Sequence, residues 1–521
     1  MKRFYFLLLW LPVFIIFTIG VFYFFDFTAE DAYITYRYAE NLVNIGSLVF
    51  NEGEPINAMT SPVHALLSSA LYYITSHTTL SNKILALFLL LISAFLVAGR
   101  FKNHTELQLL VVSLTILPSC ILLWTFGGLE TPFLLFLVTV TVVMVHGRSD
   151  FSGKLLYAIF VLAGLGVLTR YDSVLFFAPL ILYVSLKARS LKQVFIAIIA
   201  GSLLPVLWLS VSYFYYGDIL PTSFYVKTPS VGFISFVFNS IYIFSYLFFV
   251  GIIPLLLFIL LIQPGPKRRT NMKEILYRNA SIMWWLYLAI LLQLLYGFTM
   301  ATKHMMFSFR YFVPYLPSTA ILVTELLRHT VESNKAVNLH TGRVAAIFQV
   351  LLVCLWLFFG YQIIHTYNSS VNGLAFFGEY TQFGVRDYQK YSDTLRQHSE
   401  DIKKHWESVK GDTNRNPRIY TYAAGILPYS LRDSYIYEKL ISYRHTNPKR
   451  WRVTRNRVKL SSDYICMIVP KNGTIDSQLP KTPKDYTLIS SYEVDFNNSK
   501  QSFMVYYNPN PVEHTLQVKI K

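Results

Sequence analysis

Charge is scarce in this chain. Only 14% of its 521 residues are Asp, Glu, Lys or Arg, about half the share usual in soluble domains, which excludes a solvated surface over most of the length. Cysteine is nearly absent. Cys120 and Cys354 lie inside apolar runs and Cys466 in a polar tail, so neither a disulfide framework nor a Cys-built metal site is indicated. There is no glycine-rich phosphate loop, no His or Cys metal spacing and no nucleophile elbow. Internal repeats of the kind transporters favour are missing too.

Apolar residues take the place of charge. They make up 54% of the sequence, aromatics alone 17%, and the mean hydropathy is +0.41. Several runs reach roughly 18–22 residues, enough to cross a ~30 Å hydrocarbon core as a helix, and Tyr and Trp crowd their ends, where the headgroup layer suits them. The expected spans are residues 4–25, 84–99, 107–126, 131–146, 155–169, 173–186, 193–213, 241–263, 280–300, 311–327 and 344–364. The first follows Lys2 and Arg3 but is too long for a signal-peptide core. Its aromatic far end offers no small-residue cleavage site, so it reads as an uncleaved span.

Orientation follows from the basic residues. With the N-terminus in the cytoplasm, the inner loops collect 17 Lys and Arg, from Lys2 and Arg3 to Arg328, Lys335 and Arg343; the opposite loops hold only Arg37, Lys83, Arg170, Lys227, Lys303 and Arg310. This positive-inside bias accounts for much of the net charge of +17, which in a soluble chain would suggest nucleic acid. The short run 62–76 would invert the pattern if it spanned, so it is assigned to a helix at the outer interface.

The expected architecture is thus an α-helical polytopic membrane protein of about 11 transmembrane helices (residues 1–364), followed by a C-terminal α/β soluble domain (365–521) on the outer side. In that tail Arg418 to Ala423 and Tyr464 to Val469 read as buried strands, and Asp387 to Lys410 as a polar helix.

The loops that could carry chemistry lie outside. The first outer loop opens with Thr28, Glu30 and Asp31, a capping-box-like pattern that puts both acids in the first turn of a helix running to about Asn44. Such acids either complement the helix dipole or supply a base that takes a proton from an acceptor hydroxyl. Arg170 and Asp172 stand two residues apart at a span end, as a structural pair or as part of a site. Glu130 follows Gly127 and Gly128, which permit close backbone approach. Asp218 and Lys227 share a tyrosine-rich loop, and Lys303, His304 and Arg310 form a basic cluster that either anchors a span or binds phosphate.

The run from Glu30 through Arg37 to Leu42, with Gly46–Glu54 and Thr60-Ser-Pro62, resembles the opening of GT-C glycosyltransferases. Within them it looks most like the mycobacterial arabinofuranosyltransferase B group and its uncharacterised bacterial relatives. Gly128-Leu-Glu130-Thr-Pro, Leu168-Thr-Arg170, Tyr216-Gly-Asp218 through Lys227, Phe309-Arg310-Tyr-Phe-Val-Pro314 and Ala424-Gly425-Ile-Leu-Pro428 follow in the same order. The resemblance implies transfer of a sugar from a polyprenyl-phosphate donor to a glycan, lipid or protein acceptor at the outer face of a bacterial inner membrane. Asp31 would be the catalytic carboxylate with Glu30 beside it. Arg170, Lys227, Lys303 and Arg310 would hold the donor phosphate, and Tyr33, Arg37, Glu130, Asp172, Asp218 and His304 would line the substrates. No cofactor is required by this reading, and a role for a divalent metal stays open. Two positions depart from the pattern: Tyr171 stands where Pro is usual, and Ala423 where relatives often carry Asp. A transporter or flippase for a lipid-linked saccharide is the competing reading.

Overall fold

A computed structural model describes residues 2–226, 233–261, 269–300, 307–335, 341–368, 384–411, 415–438, 462–470, 486–496 and 499–511. Its first part is helical: α1 (Lys2–Phe24), α2 (Glu30–Ile45), α3 (Pro62–Thr75), α4 (Thr78–Arg100), α5 (Thr105–Ile116), α6 (Ser119–Phe126), α7 (Thr131–Val145), α8 (Gly153–Thr169) and α9 (Val174–Leu186). There follow α10 (Leu191–Val211), α11 (Thr222–Val226), α12 (Phe233–Phe249), α13 (Ile252–Leu261), α14 (Arg269–Met300), α15 (Leu316–Lys335) and α16 (Thr341–Asn368).

Every apolar run expected to span forms helix in the described residues. Among these, three helices are long and apolar enough to cross a membrane unbroken: Thr78–Arg100, Leu191–Tyr216 and Ala346–Asn368. Two further helix pairs are apolar enough to cross only if each bent pair counts as one span. α5 and α6 meet at 50° around Pro118, whose ring and missing N–H end one helix and start the next; α12 and α13 meet at 70°. α10 exposes Phe195, Ile198, Leu203, Val206 and Leu207, an apolar outer surface that fits lipid rather than water. Fold and apolar helices together make this an integral membrane protein. α3 forms as a helix capped by Ser61, whose hydroxyl accepts from the His64 N–H at 3.3 Å, and it packs on α2 and α4.

The tail begins with α17 (Val385–Val409) and continues with β1 (Arg418–Tyr420), α18 (Ile426–Ser430), β2 (Tyr435–Tyr437), β3 (Tyr464–Pro470), β4 (Thr487–Phe496) and β5 (Ser499–Tyr507). The strands form one mixed sheet in the order β2-β1-β3-β5-β4, with β1 parallel to β2 and β3 and the remaining pairs antiparallel. α17 buries Val385, Ser392, Leu395, Ser399, Ile402 and Trp406, a spacing of three, four and seven that places them on one face. That face covers the sheet at β4. The expected tail helix and the strands at 418 and 464 are therefore present.

The tail is bolted to α2. Arg37 is buried, and its guanidinium donates to the carbonyls of Phe50 at 2.9 Å, Leu431 at 3.2 Å, Ser434 at 2.8 Å, and Pro428. Asn51 exchanges two hydrogen bonds with the Ile436 backbone, at 2.9 and 3.1 Å, acting as an extra partner along the β2 edge. Glu40, also buried, accepts from Thr78 at 2.6 Å and Tyr429 at 2.5 Å and pairs with Arg432 at 2.7 Å. Hydrogen bonds to charged groups stabilise by roughly 1.5–3 kcal/mol each, so this seam is strong.

Candidate active site

The site starts where the chain leaves α1. Thr28 does not cap α2: Ala29 is the N-cap residue, and no side chain of the local segment caps the helix. The Ala29 N–H instead donates to the Gly127 carbonyl at 3.0 Å, so the entry into α2 is set by the 127–130 loop rather than by a neighbour in sequence. Gly128 makes this approach possible. Its φ is +73°, and a Cβ there would collide with the Tyr36 hydroxyl. Glu30 and Asp31 then fall in the first turn, where the positive helix end favours carboxylates.

From Asp31 a row of alternating charges runs inward. Its half-exposed carboxylate lies 3.7 Å from Arg310. Arg310 reaches Glu130 at 3.2 Å, and the same Glu130 oxygen takes Arg170 at 3.3 Å. Arg170 in turn holds Asp172 as a two-pronged fork, at 3.1 and 2.7 Å. Glu130 is buried, and burial alone would push its carboxyl up. The guanidinium groups of Arg310 and Arg170, helped by His64, outweigh that and hold it down to about 2, because each favours the charged form. Glu130 is therefore an anion in the folded protein.

The two arginines are not equivalent. Arg170 spends Nε and one terminal nitrogen on Asp172 and the other on Glu130, so it is committed to holding the row together. Among the described residues the buried Nε of Arg310 has no hydrogen-bond partner, and its contact to Asp31 is long, which leaves it donors for an oxyanion. A strained turn presents it. Ser308 (φ 45°) and Phe309 (φ 58°) are both in the left-handed region, a conformation costly for residues with a Cβ. Packing holds them there: the Phe309 ring lies 5.1 Å from Tyr242, 5.7 Å from Phe249 and 5.8 Å from Tyr246. The Trp124 indole donates to the Ser308 carbonyl at 3.1 Å, and the same ring lies 5.3 Å beneath the Arg310 guanidinium.

The other expected site residues are placed differently. Glu30 faces the tail, its carboxylate accepting from the Gly425 N–H at 2.7 Å. The Tyr33 hydroxyl accepts from Arg396 of α17 at 3.2 Å. Arg37 spends its guanidinium on the tail seam and does not meet the charge row. Asp218 borders an apolar cavity of about 490 Å³, with Leu168 and Tyr171, the neighbours of Arg170, on its wall. Lys227, Lys303 and His304 lie outside the described residues. Sequence reasoning missed Trp124, Tyr388 and Gly425 as parts of the site's frame. The first sits within an apolar run and the last two in the tail, and nothing in their spacing points to α2.

No family model matches the sequence, and no curated protein matches it either. Solved structures do. The chain is similar in fold to ArnT from Cupriavidus metallidurans in the apo state: TM-score 0.57 at 10% identity, covering 95% of this chain and 97% of the other. ArnT bound to undecaprenyl phosphate matches with a TM-score of 0.55 at 12% identity over the same shares. At such identity the likeness establishes the fold alone, and it extends over 95% of this chain.

Proposed function

We propose that this protein is a membrane glycosyltransferase that moves a sugar from a polyprenyl-phosphate donor to an acceptor hydroxyl at the outer face of the membrane. The observation that carries the reading is Asp31, half-exposed at the head of α2 and 3.7 Å from an arginine with donors to spare, in a chain whose fold matches ArnT, which has been solved with undecaprenyl phosphate bound.

The chemistry asks for three things, and the site offers a group for each. Asp31 takes the proton from the acceptor hydroxyl as that oxygen attacks the anomeric carbon. The bond between that carbon and the donor phosphate oxygen breaks, and polyprenyl phosphate leaves as the anion. Arg310 neutralises the charge that grows on the phosphate, while Glu130 and Arg170 keep Arg310 from drifting. Lys227 and Lys303 are further candidates for that phosphate. The outer location separates this chemistry from cytosolic nucleotide sugars and is the reason for a lipid-linked donor. Eleven crossings, an inner-membrane location and an N-terminus in the cytoplasm belong to the same reading, as does a relationship to the arabinofuranosyltransferase B group. The sugar is accordingly a pentose or a hexose, and the acceptor an envelope glycan, lipid or protein.

The test compares envelope glycans of a strain lacking the protein with the same strain complemented by wild type or by Asp31→Asn. The expected outcome is a glycan missing from the first, restored by wild type and not by Asp31→Asn, with both proteins present in the membrane in equal amount. Restoration by Asp31→Asn removes the proposed base. Movement of labelled polyprenyl-phosphate sugar across liposomes without transfer would favour the flippase instead.

A further inference from the structure

The first turn of α2 has no side-chain cap of its own, yet two N–H groups at its start find partners elsewhere in the fold. The first four N–H groups of a helix lack intrahelical partners, and at Ala29 no side chain of the local segment serves them. The Ala29 N–H goes to Gly127. The Glu30 N–H goes to the hydroxyl of Tyr388, 358 residues away in α17. The Glu30 carboxylate in turn accepts from the N–H of Gly425, the N-cap residue of α18, at 2.7 Å. Both partners belong to the tail.

The packing around these bonds leaves little room for alternatives. The Tyr388 ring lies 5.2 Å from Phe27, immediately before the helix. A Cβ at Gly425 would strike the Glu30 carbonyl oxygen, so only glycine lets α18 come this close. Tyr33, one turn on, is held by Arg396 at 3.2 Å and stacks near Tyr429 at 5.0 Å. Burial, and then the Glu30 charge, push the Tyr388 hydroxyl well above its ordinary range, so it stays neutral and available at any working pH.

We propose that the outer domain completes the N-terminus of the catalytic helix, with Tyr388 and Glu30 as positioning residues that fix Asp31 opposite Arg310. This rests on the reading of Asp31 as the reacting carboxylate. In it Glu30 handles no proton: it is the anchor by which Gly425 and α18 hold the first turn, and Asp31, the next residue, inherits that position. The tail is then part of the catalytic unit as well as any acceptor platform it offers.

Two measurements on the full-length protein test this. The first needs no turnover: amide hydrogen exchange at residues 30–33 in purified protein. Tyr388→Phe removes the acceptor oxygen, and exchange there rises about fivefold, the scale of a lost helix cap, while the rest of α2 is unchanged. Unchanged exchange overturns the cap. The second uses the glycan that the protein produces, with binding of undecaprenyl phosphate as a control. Glu30→Gln keeps an oxygen for Gly425 and retains product within about twofold of wild type, whereas Glu30→Ala and Tyr388→Phe lower it at least about fivefold. Undecaprenyl phosphate binding stays constant throughout. Loss of product in Glu30→Gln to the level of Asp31→Asn, with exchange at residues 30–33 as in wild type, makes Glu30 a proton-handling group and overturns the positioning role. If no glycan depends on the protein at all, the enzymatic reading fails, while the exchange result still decides whether the tail caps α2.

Discussion

Arg310 stands between two carboxylates of different standing: it binds buried Glu130 at 3.2 Å and approaches half-exposed Asp31 only to 3.7 Å. The short contact fixes the guanidinium. The long one leaves Asp31 half-exposed, as the proposed role of base requires.

That asymmetry predicts the result of Arg310→Lys. A single ammonium cannot reproduce the planar fork that serves Glu130 and a phosphate together. Product formation should fall on the order of 10²-fold, as when a transition-state charge loses a fixed donor, with undecaprenyl phosphate binding weakened as well. Wild-type levels of glycan in a complemented strain would refute the assignment.

Glu130 should act on stability as well as on activity. Glu130→Ala leaves Arg170 and Arg310 side by side without their shared anion, and breaking such a buried pair costs about 3–5 kcal/mol. The wild type should show a matching pH dependence. The folded-state value of about 2 lies below the ordinary carboxyl range, so the stabilisation is complete above about pH 4.5 and drains away as pH falls towards 2. Thermal unfolding in detergent across that window checks it: the acid-side loss should be smaller in Glu130→Ala.

Arg37→Met should loosen the tail. The carbonyls of Phe50, Pro428 and Leu431 keep the Asn41 amide and the Leu431 and Ser434 N–H groups as donors, but all four lose the charged guanidinium, and hydrogen bonds to charged groups stabilise by about 1.5–3 kcal/mol each. Limited proteolysis of purified protein should then cut within the tail under conditions that leave wild type intact. Arg37→Lys should rescue this poorly, because one ammonium cannot span the four acceptors.

The left-handed turn ahead of Arg310 gives a contrast between two substitutions at one position. Ser308→Gly fits φ 45° and should leave the melting temperature unchanged or raise it. Ser308→Val adds β-branching where even Ser is strained and should destabilise by at least about 1 kcal/mol.

Much of the site's material was legible. Hydropathy located every apolar helix, because a helix that must satisfy its backbone within a bilayer advertises itself by length and composition. Glu30 and Asp31 were placed correctly in a first turn, and Gly128 at a close approach. The sequence could not say which acid faces the tail and which faces Arg310. Glu30 and Asp31 are adjacent and chemically alike, and only the arrival of Gly425 and Tyr388 from the tail turns one away and leaves the other opposite Arg310. The partners of Arg37 were hidden for the same reason: its guanidinium donates to carbonyls 394 and 397 residues later in the chain, and no local pattern records them.

By itself, then, the order of residues determined the helices and where along the chain the basic residues, acids and arginines fall. Those are local properties, fixed by transfer free energies and charge along a few turns of chain. The tertiary structure alone decided the pairing of Arg310 with Glu130, the commitment of Arg170 to Asp172 and the cap on α2. Each depends on where a side chain finally comes to rest. Charges and hydrogen-bonding groups choose partners by ångström-scale distance and burial, and no spacing within one segment records that.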